Sequence, residues 1–123
     1  MSSADELASA AAAGDAERVA QLLQDGAAVD AVNRFGRTPL QVMMMGSTAV
    51  ARLLLDHGAN PEVQDSTGSS PLHDAAREGF LETVQLLCSF QANPHVRDMW
   101  NRRPIDLATE KGHREVMAFL QSL

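Results

Sequence analysis

Residues 38–59 read TPLQVMMMGSTAVARLLLDHGA and residues 70–92 read SPLHDAAREGFLETVQLLCSFQA, and the two align once a single residue is dropped from the second. Each begins with a hydroxyl residue followed by proline. That pair suits a helix start, because the hydroxyl can cap an orphan amide and proline lacks an N–H where none is needed. Each then carries a glycine and an apolar-rich run, with Val50, Leu53 and Leu54 in one and Val84, Leu86 and Leu87 in the other marking a buried helical face. The pattern predicts two helices per unit, the first ended at its glycine by a left-handed turn.

The same beat runs through the chain. Gly14, Gly46, Gly79 and Gly112 recur at intervals of 32, 33 and 33, Pro39, Pro71 and Pro104 at 32 and 33, and Ala27, Ala59 and Ala92 likewise. With ELASAAAAGDAERVAQLLQDGA at 6–27 and RPIDLATEKGHREVMAFLQSL at 103–123, this makes four units, at approximately 4–32, 33–64, 65–97 and 98–123. They resemble ankyrin repeats, for which a 33-residue period and a T-P-L-H-x-A start are the signature. The expected fold is all-α: an ankyrin-repeat solenoid of four helix-turn-helix repeats, forming one domain over residues 1–123. Helices are expected near residues 39, 71 and 104. The first unit, with Asp5 and Glu6 where proline chemistry is expected, and the last, which stops at Leu123, read as caps.

β-hairpin-like finger loops should link the repeats at VDAVNRFGR, PEVQDSTGS and PHVRDMWNR, with Gly36 and Gly68 at positive φ. Asn101 stands at that place in the third, and Asn tolerates the left-handed region. Gln91 replaces the glycine of the G-A step and should store up to ~1–2 kcal/mol of strain if the backbone there is left-handed.

Composition agrees with packed helices. The 123 residues are 45% hydrophobic but only 4% aromatic, with no tyrosine, so burial must come from Leu, Val, Ala and Met. A formal charge of −6 opposes phosphate binding, and Arg97, Arg102 and Arg103 around Trp100 read as a solvated loop, so no nucleic-acid partner is expected. No apolar run approaches the ~18 residues of a membrane span. A single cysteine, Cys88, and a start without signal-peptide character point to a reducing compartment, cytoplasmic and nuclear. Cys88 reads as a small core residue.

A catalytic site is not expected. His73 and Asp74 are adjacent, so on a helix their side chains point about 100° apart and cannot cooperate. His57, His73, His95 and His113 fall in separate units without metal-ligand spacing, and no phosphate loop or cofactor motif is present. His73 and His113 read as structural. Binding of another protein by a monomeric chain is the default function, with a general ankyrin adaptor and an enzyme as the alternatives.

Two stretches deviate from a generic repeat. In the second unit the missing residue lies in the first helix, and Met43 and Met44 replace the small pair that Ala75 and Ala76 supply in the third. A helix cut to about one turn follows, with flexible thioethers either filling the gap or facing a partner. GRTPLQVMMMGS at 36–47 and PLHDAAREGFLETVQLL at 71–87 are similar to the ankyrin inhibitors of cyclin-dependent kinases 4 and 6, of the 2A/2B type. That resemblance implies a non-catalytic inhibitor that binds the monomeric kinase beside its ATP cleft and opposes D-type cyclin, with G1 arrest as the outcome. It implies polar kinase contacts by Asp74 and Arg77 and N-lobe contact by Met43, Met44 and Met45, with Asp65 and Glu82 as further acidic candidates. The fourth unit is expected to cap the stack, with Trp100 as an exposed edge.

Overall fold

The structure, a computed structural model, describes residues 2–123 and has eight α-helices and no strand among them. It divides into one compact unit up to Asn60 and a second from Pro61 to Leu123.

In the first unit, α1 (Ser3–Ala13) and α2 (Ala16–Gln24) form one pair, and α3 (Pro39–Val42) and α4 (Thr48–Asp56) the next. Helix α1 packs on α2 and α3, and α2 on α4. Ser2 caps α1 by accepting the Asp5 amide, and Asp15 caps α2 by accepting the Arg18 amide. Thr38 and Gln41 form a reciprocal capping box at α3, each side chain accepting the other's N–H.

Helix α3 is four residues long, the truncation expected from the missing residue. The left-handed ending expected at Gly46 is not formed. Met43 leaves the helix at φ −56°, ψ 154°, three residues before Gly46, which does not take positive φ. With no helix reaching it, Gly46 has no C-terminal carbonyls to cap. Ser47 then accepts the Val50 amide and starts α4.

In the second unit, α5 (Pro71–Glu78) pairs with α6 (Leu81–Ser89) and α7 (Pro104–Lys111) with α8 (Arg114–Gln121), while α5 packs on α7 and α6 on α8. Both first helices end at left-handed glycines, Gly79 at φ 79° and Gly112 at φ 75°, as Gly14 ends α1 at 71°. Ser70 caps α5, but α7 begins after Arg103, so the hydroxyl cap is absent there. The other half of the capping box remains, with Asp106 accepting the Arg103 amide at 2.8 Å.

The fingers close as tight hairpin-like turns. The amides of Asn33, Asp65 and Asp98 donate to the carbonyls of Arg37, Ser69 and Arg102. The same three side chains accept amides inside their own turns: those of Phe35 and Arg37 for Asn33, Thr67 and Ser69 for Asp65, Trp100 and Arg102 for Asp98. Gly36, Gly68 and Asn101 take positive φ at the tips, and Gln91 lies at φ 71°.

His73 is fully buried and ties α5 to the last finger. Its Nε2–H donates to the Arg102 carbonyl at 2.8 Å, leaving Nδ1 to accept from the Ser70 amide. In the same unit Leu72, Leu87 and Leu107 are buried, each worth roughly 1.5–3 kcal/mol. In the first unit Leu7, Leu40, Val50 and Leu54 do the same. Leu53, expected on the buried face of α4, is only half-buried, and Leu55 and Ala51 take the inner positions. No helix among the described residues is long and apolar enough to cross a membrane.

Candidate functional site

The seven residues singled out lie in both units, and each group is built by its own local structure. In the first unit the methionine run leaves α3 through extended backbone at Met43 and enters a turn at Met45, so successive side chains diverge. Met43 turns inward and is 4% exposed, Met44 is 49% exposed, and Met45 is half-buried. The Met44 amide donates to the Ala11 carbonyl in the last turn of α1 at 2.9 Å. Its thioether folds over Gly14, where a Cβ would lie 2.8 Å from the sulfur. The run is therefore neither all core nor all surface.

Beside it a shallow depression of about 220 Å³ is lined by Asp5, Ala8, Ala12, Arg34, Phe35 and Val42, among others. Asp5 accepts the Arg34 amide, which with the Ser2 hydroxyl holds its carboxyl below the usual range despite some desolvation. Phe35 projects from the finger, 72% exposed, with the Arg34 guanidinium 5.2 Å from its ring centre. Neither residue is singled out by the repeat pattern; a large aromatic immediately before the finger glycine is the signal that marks them.

In the second unit Asp74 lies in the first turn of α5, and Arg77 follows one turn later on the same face. Asp74 Oδ1 accepts from Arg77 at 3.0 Å and from the Ser69 hydroxyl at 2.9 Å. Acid and guanidinium are thus held at a half-exposed surface by a buried serine that helical spacing does not reveal. An ion pair exposed to this degree contributes about 0–1 kcal/mol to folding, so both charges stay available to a partner.

Asp65 and Glu82 do not join this pair in a shared cluster. Asp65 is occupied by its own finger, accepting the Thr67 hydroxyl at 2.7 Å besides two amides. Glu82 is exposed in the first turn of α6, where a carboxylate suits the helix dipole. Trp100 is 59% exposed at the last finger, with Arg102 stacked 5.0 Å from its ring. The surrounding arginines pair internally, Arg102 with Asp98 and Arg103 with Asp106. Burial pushes the half-buried Cys88 thiol up to about 11, which leaves it a poor nucleophile.

A family model for ankyrin repeats in three copies matches residues 7–98. The chain belongs to the ankyrin-repeat family. Among curated relatives, this ankyrin-repeat chain is 62% identical over 81 residues to cyclin-dependent kinase 4 inhibitor B of Rattus norvegicus, covering 65% of the chain and 62% of that protein. To the Homo sapiens protein of the same name it is 62% identical over 79 residues, 63% of the chain and 57% of the relative. To cyclin-dependent kinase inhibitor 2A of Homo sapiens it is 59% identical over 83 residues, 67% of the chain and 53% of the relative. The matches span between about half and three-fifths of these relatives' lengths, and they agree with the 2A/2B resemblance carried by the two deviant stretches.

Proposed function

We propose that this ankyrin-repeat chain is a non-catalytic inhibitor of cyclin-dependent kinases 4 and 6. The reading rests on its 59–62% identity to proteins named cyclin-dependent kinase 4 inhibitor B and cyclin-dependent kinase inhibitor 2A, and its extension to kinase 6 on the resemblance of the two deviant stretches. In this reading it binds the monomeric kinase beside the ATP cleft and opposes D-type cyclin, shifting the population toward an inactive kinase and blocking G1 progression. It acts as a monomer in cytoplasm and nucleus, with residues 1–123 serving as one domain of four repeats.

The chemistry of the two groups supports it. The exposed Met44 thioether offers an adaptable apolar contact, and Asp74 with Arg77 offers a carboxylate and a guanidinium already oriented. Desolvated against a kinase, the pair would exchange its internal contact for partner charges. Met43 contributes from the core by setting the direction of the run, and Met45, Asp65 and Glu82 are further proposed contacts.

Titration against purified kinases 2, 4 and 6 tests the proposal. Binding to kinases 4 and 6 with none to kinase 2 is expected. Asp74→Asn, which keeps the size and the Ser69 acceptor, should cost ~2–5 kcal/mol of binding, about thirty-fold or more in Kd, with Arg77→Ala similar. Equal affinity for all three kinases, or none, would identify a general adaptor instead. An Asp74→Asn Kd within twofold of wild type would remove the pair from the interface.

A further inference from the structure

Among the described methionines, Met44 and Met99 are exposed, at 49% and 65%, whereas Met43 is buried and Met45 and Met117 are half-buried. Susceptibility of a thioether to peroxide follows its accessibility. Met44 differs from Met99 in what its sulfur does. Sδ, Cε and Cβ would lie 2.8, 3.3 and 3.6 Å from a Cβ on Gly14, so the side chain fills the space above that glycine and leaves no room for another atom there. Only a residue without a side chain allows this seat, and the adjoining amide of Met44 is tied to Ala11.

We propose that Met44 is an oxidation site whose conversion to the sulfoxide unseats the side chain from Gly14 and weakens the partner-binding face of the first unit. The thioether attacks one peroxide oxygen, an S–O bond forms as the O–O bond breaks, and water leaves; sulfur is oxidised and hydrogen peroxide reduced. The added oxygen is a strong acceptor that needs water or a donor. Gly14 offers neither, since its amide already donates within the turn that ends α1. The oxidised side chain therefore turns its sulfur into solvent, and the segment 43–45, whose Met44 carbonyl accepts the Ser47 amide in a turn, loses the thioether's seat over Gly14. Met43, sealed in the core beside it, stays reduced. The effect on binding rests on the kinase-inhibitor reading above; the chemistry at Met44 does not.

Limited hydrogen peroxide treatment of the full chain, followed by peptide mapping, tests the chemistry. Met44 and Met99 should oxidise roughly tenfold or more faster than Met43. On peroxide treatment the amide resonances of Gly14 and Ala11 should shift in the Met99→Leu variant, in which Met44 is the one exposed methionine among those described, and not in Met44→Leu. Methionine sulfoxide reductases should restore them. Met44 reacting no faster than Met43, or oxidised Met44 leaving those amides unmoved, would overturn the proposal. In the second arm, peroxide should lower kinase 4 affinity in Met99→Leu, while Met44→Leu keeps whatever affinity it has beforehand. Untreated protein that fails to bind the kinase would defeat the functional reading and leave the mapping result standing. Binding that survives complete Met44 oxidation would refute the regulatory step alone.

Discussion

The imidazole of His113 occupies the place a side chain on Gly79 would need: a Cβ there would lie 2.5 Å from Nδ1, while Nε2–H donates to the Arg77 carbonyl at 2.9 Å. The first unit solves the same problem with Met44 over Gly14. In both, a side chain from the following repeat lies over the glycine at the end of a first helix; Gly79 is required for its positive φ and for its missing Cβ, whereas Gly14 is required for its φ, since the flexible Met44 thioether can move aside.

That double requirement can be separated. Gly112 has nearly the same φ, 75°, but open space where a Cβ would go. Gly112→Ala should cost only the backbone term, ~1–2 kcal/mol. Gly79→Ala should cost roughly 2–4 kcal/mol, because His113 is also displaced from the Arg77 carbonyl. Urea denaturation of both variants checks this; equal losses would mean that His113 moves aside freely.

Gln91 offers the opposite change. It is exposed at φ 71°, the position of the step that Gly26 and Gly58 occupy at 96° and 88°. Gln91→Gly should raise the denaturation midpoint by the equivalent of up to about 1 kcal/mol. Asn101→Gly, at φ 63°, should gain less, since asparagine tolerates this region. A lower midpoint for Gln91→Gly would show that the side chain contributes more than the strain costs.

How much of this could be read from residues alone depended on whether the signal was local. Proline and hydroxyl pairs placed the starts of α3 and α5, and one deleted residue revealed the short α3, because each acts on its own backbone. Gly46 misled because its place in the repeat mimics a cap while the helix it would cap has already ended. Ser69 closing the Asp74–Arg77 pair depends on where a finger returns to a helix, which spacing along the chain does not encode. Asp65 looked like Asp74 in sequence, yet its carboxylate is occupied by the turn it starts.

The alternation within the methionine run makes a graded prediction. Met43→Ala should cost ~2–5 kcal/mol of stability, the range for a buried side chain truncated in a core that cannot fully collapse. Met44→Ala should cost under about 1 kcal/mol, as its contact is with a surface turn. Thermal and chemical denaturation of the two variants would decide it, and a larger loss for Met44 would contradict the orientation described.

Acid should expose the role of Asp98. Its side chain is 1% exposed, and desolvation alone would raise its pKa; the Arg102 and Trp100 amides and the Arg102 guanidinium outweigh this and hold it below the ordinary 3.8. A carboxyl with a depressed folded-state pKa contributes stability above its unfolded value, lost as pH falls through the folded one. Asn33 shows what an amide can do in the same turn, since its Oδ1 accepts both finger amides. Asp98→Asn should therefore keep the turn but set its NH₂ against Arg102, costing ~1–3 kcal/mol at neutral pH. The gap from wild type should stay constant down to about pH 4 and then narrow, because only the wild-type carboxylate takes up a proton there. A gap that is unchanged between pH 7 and pH 2 would mean that the charge on Asp98 contributes nothing and that the amide bonds alone hold the finger.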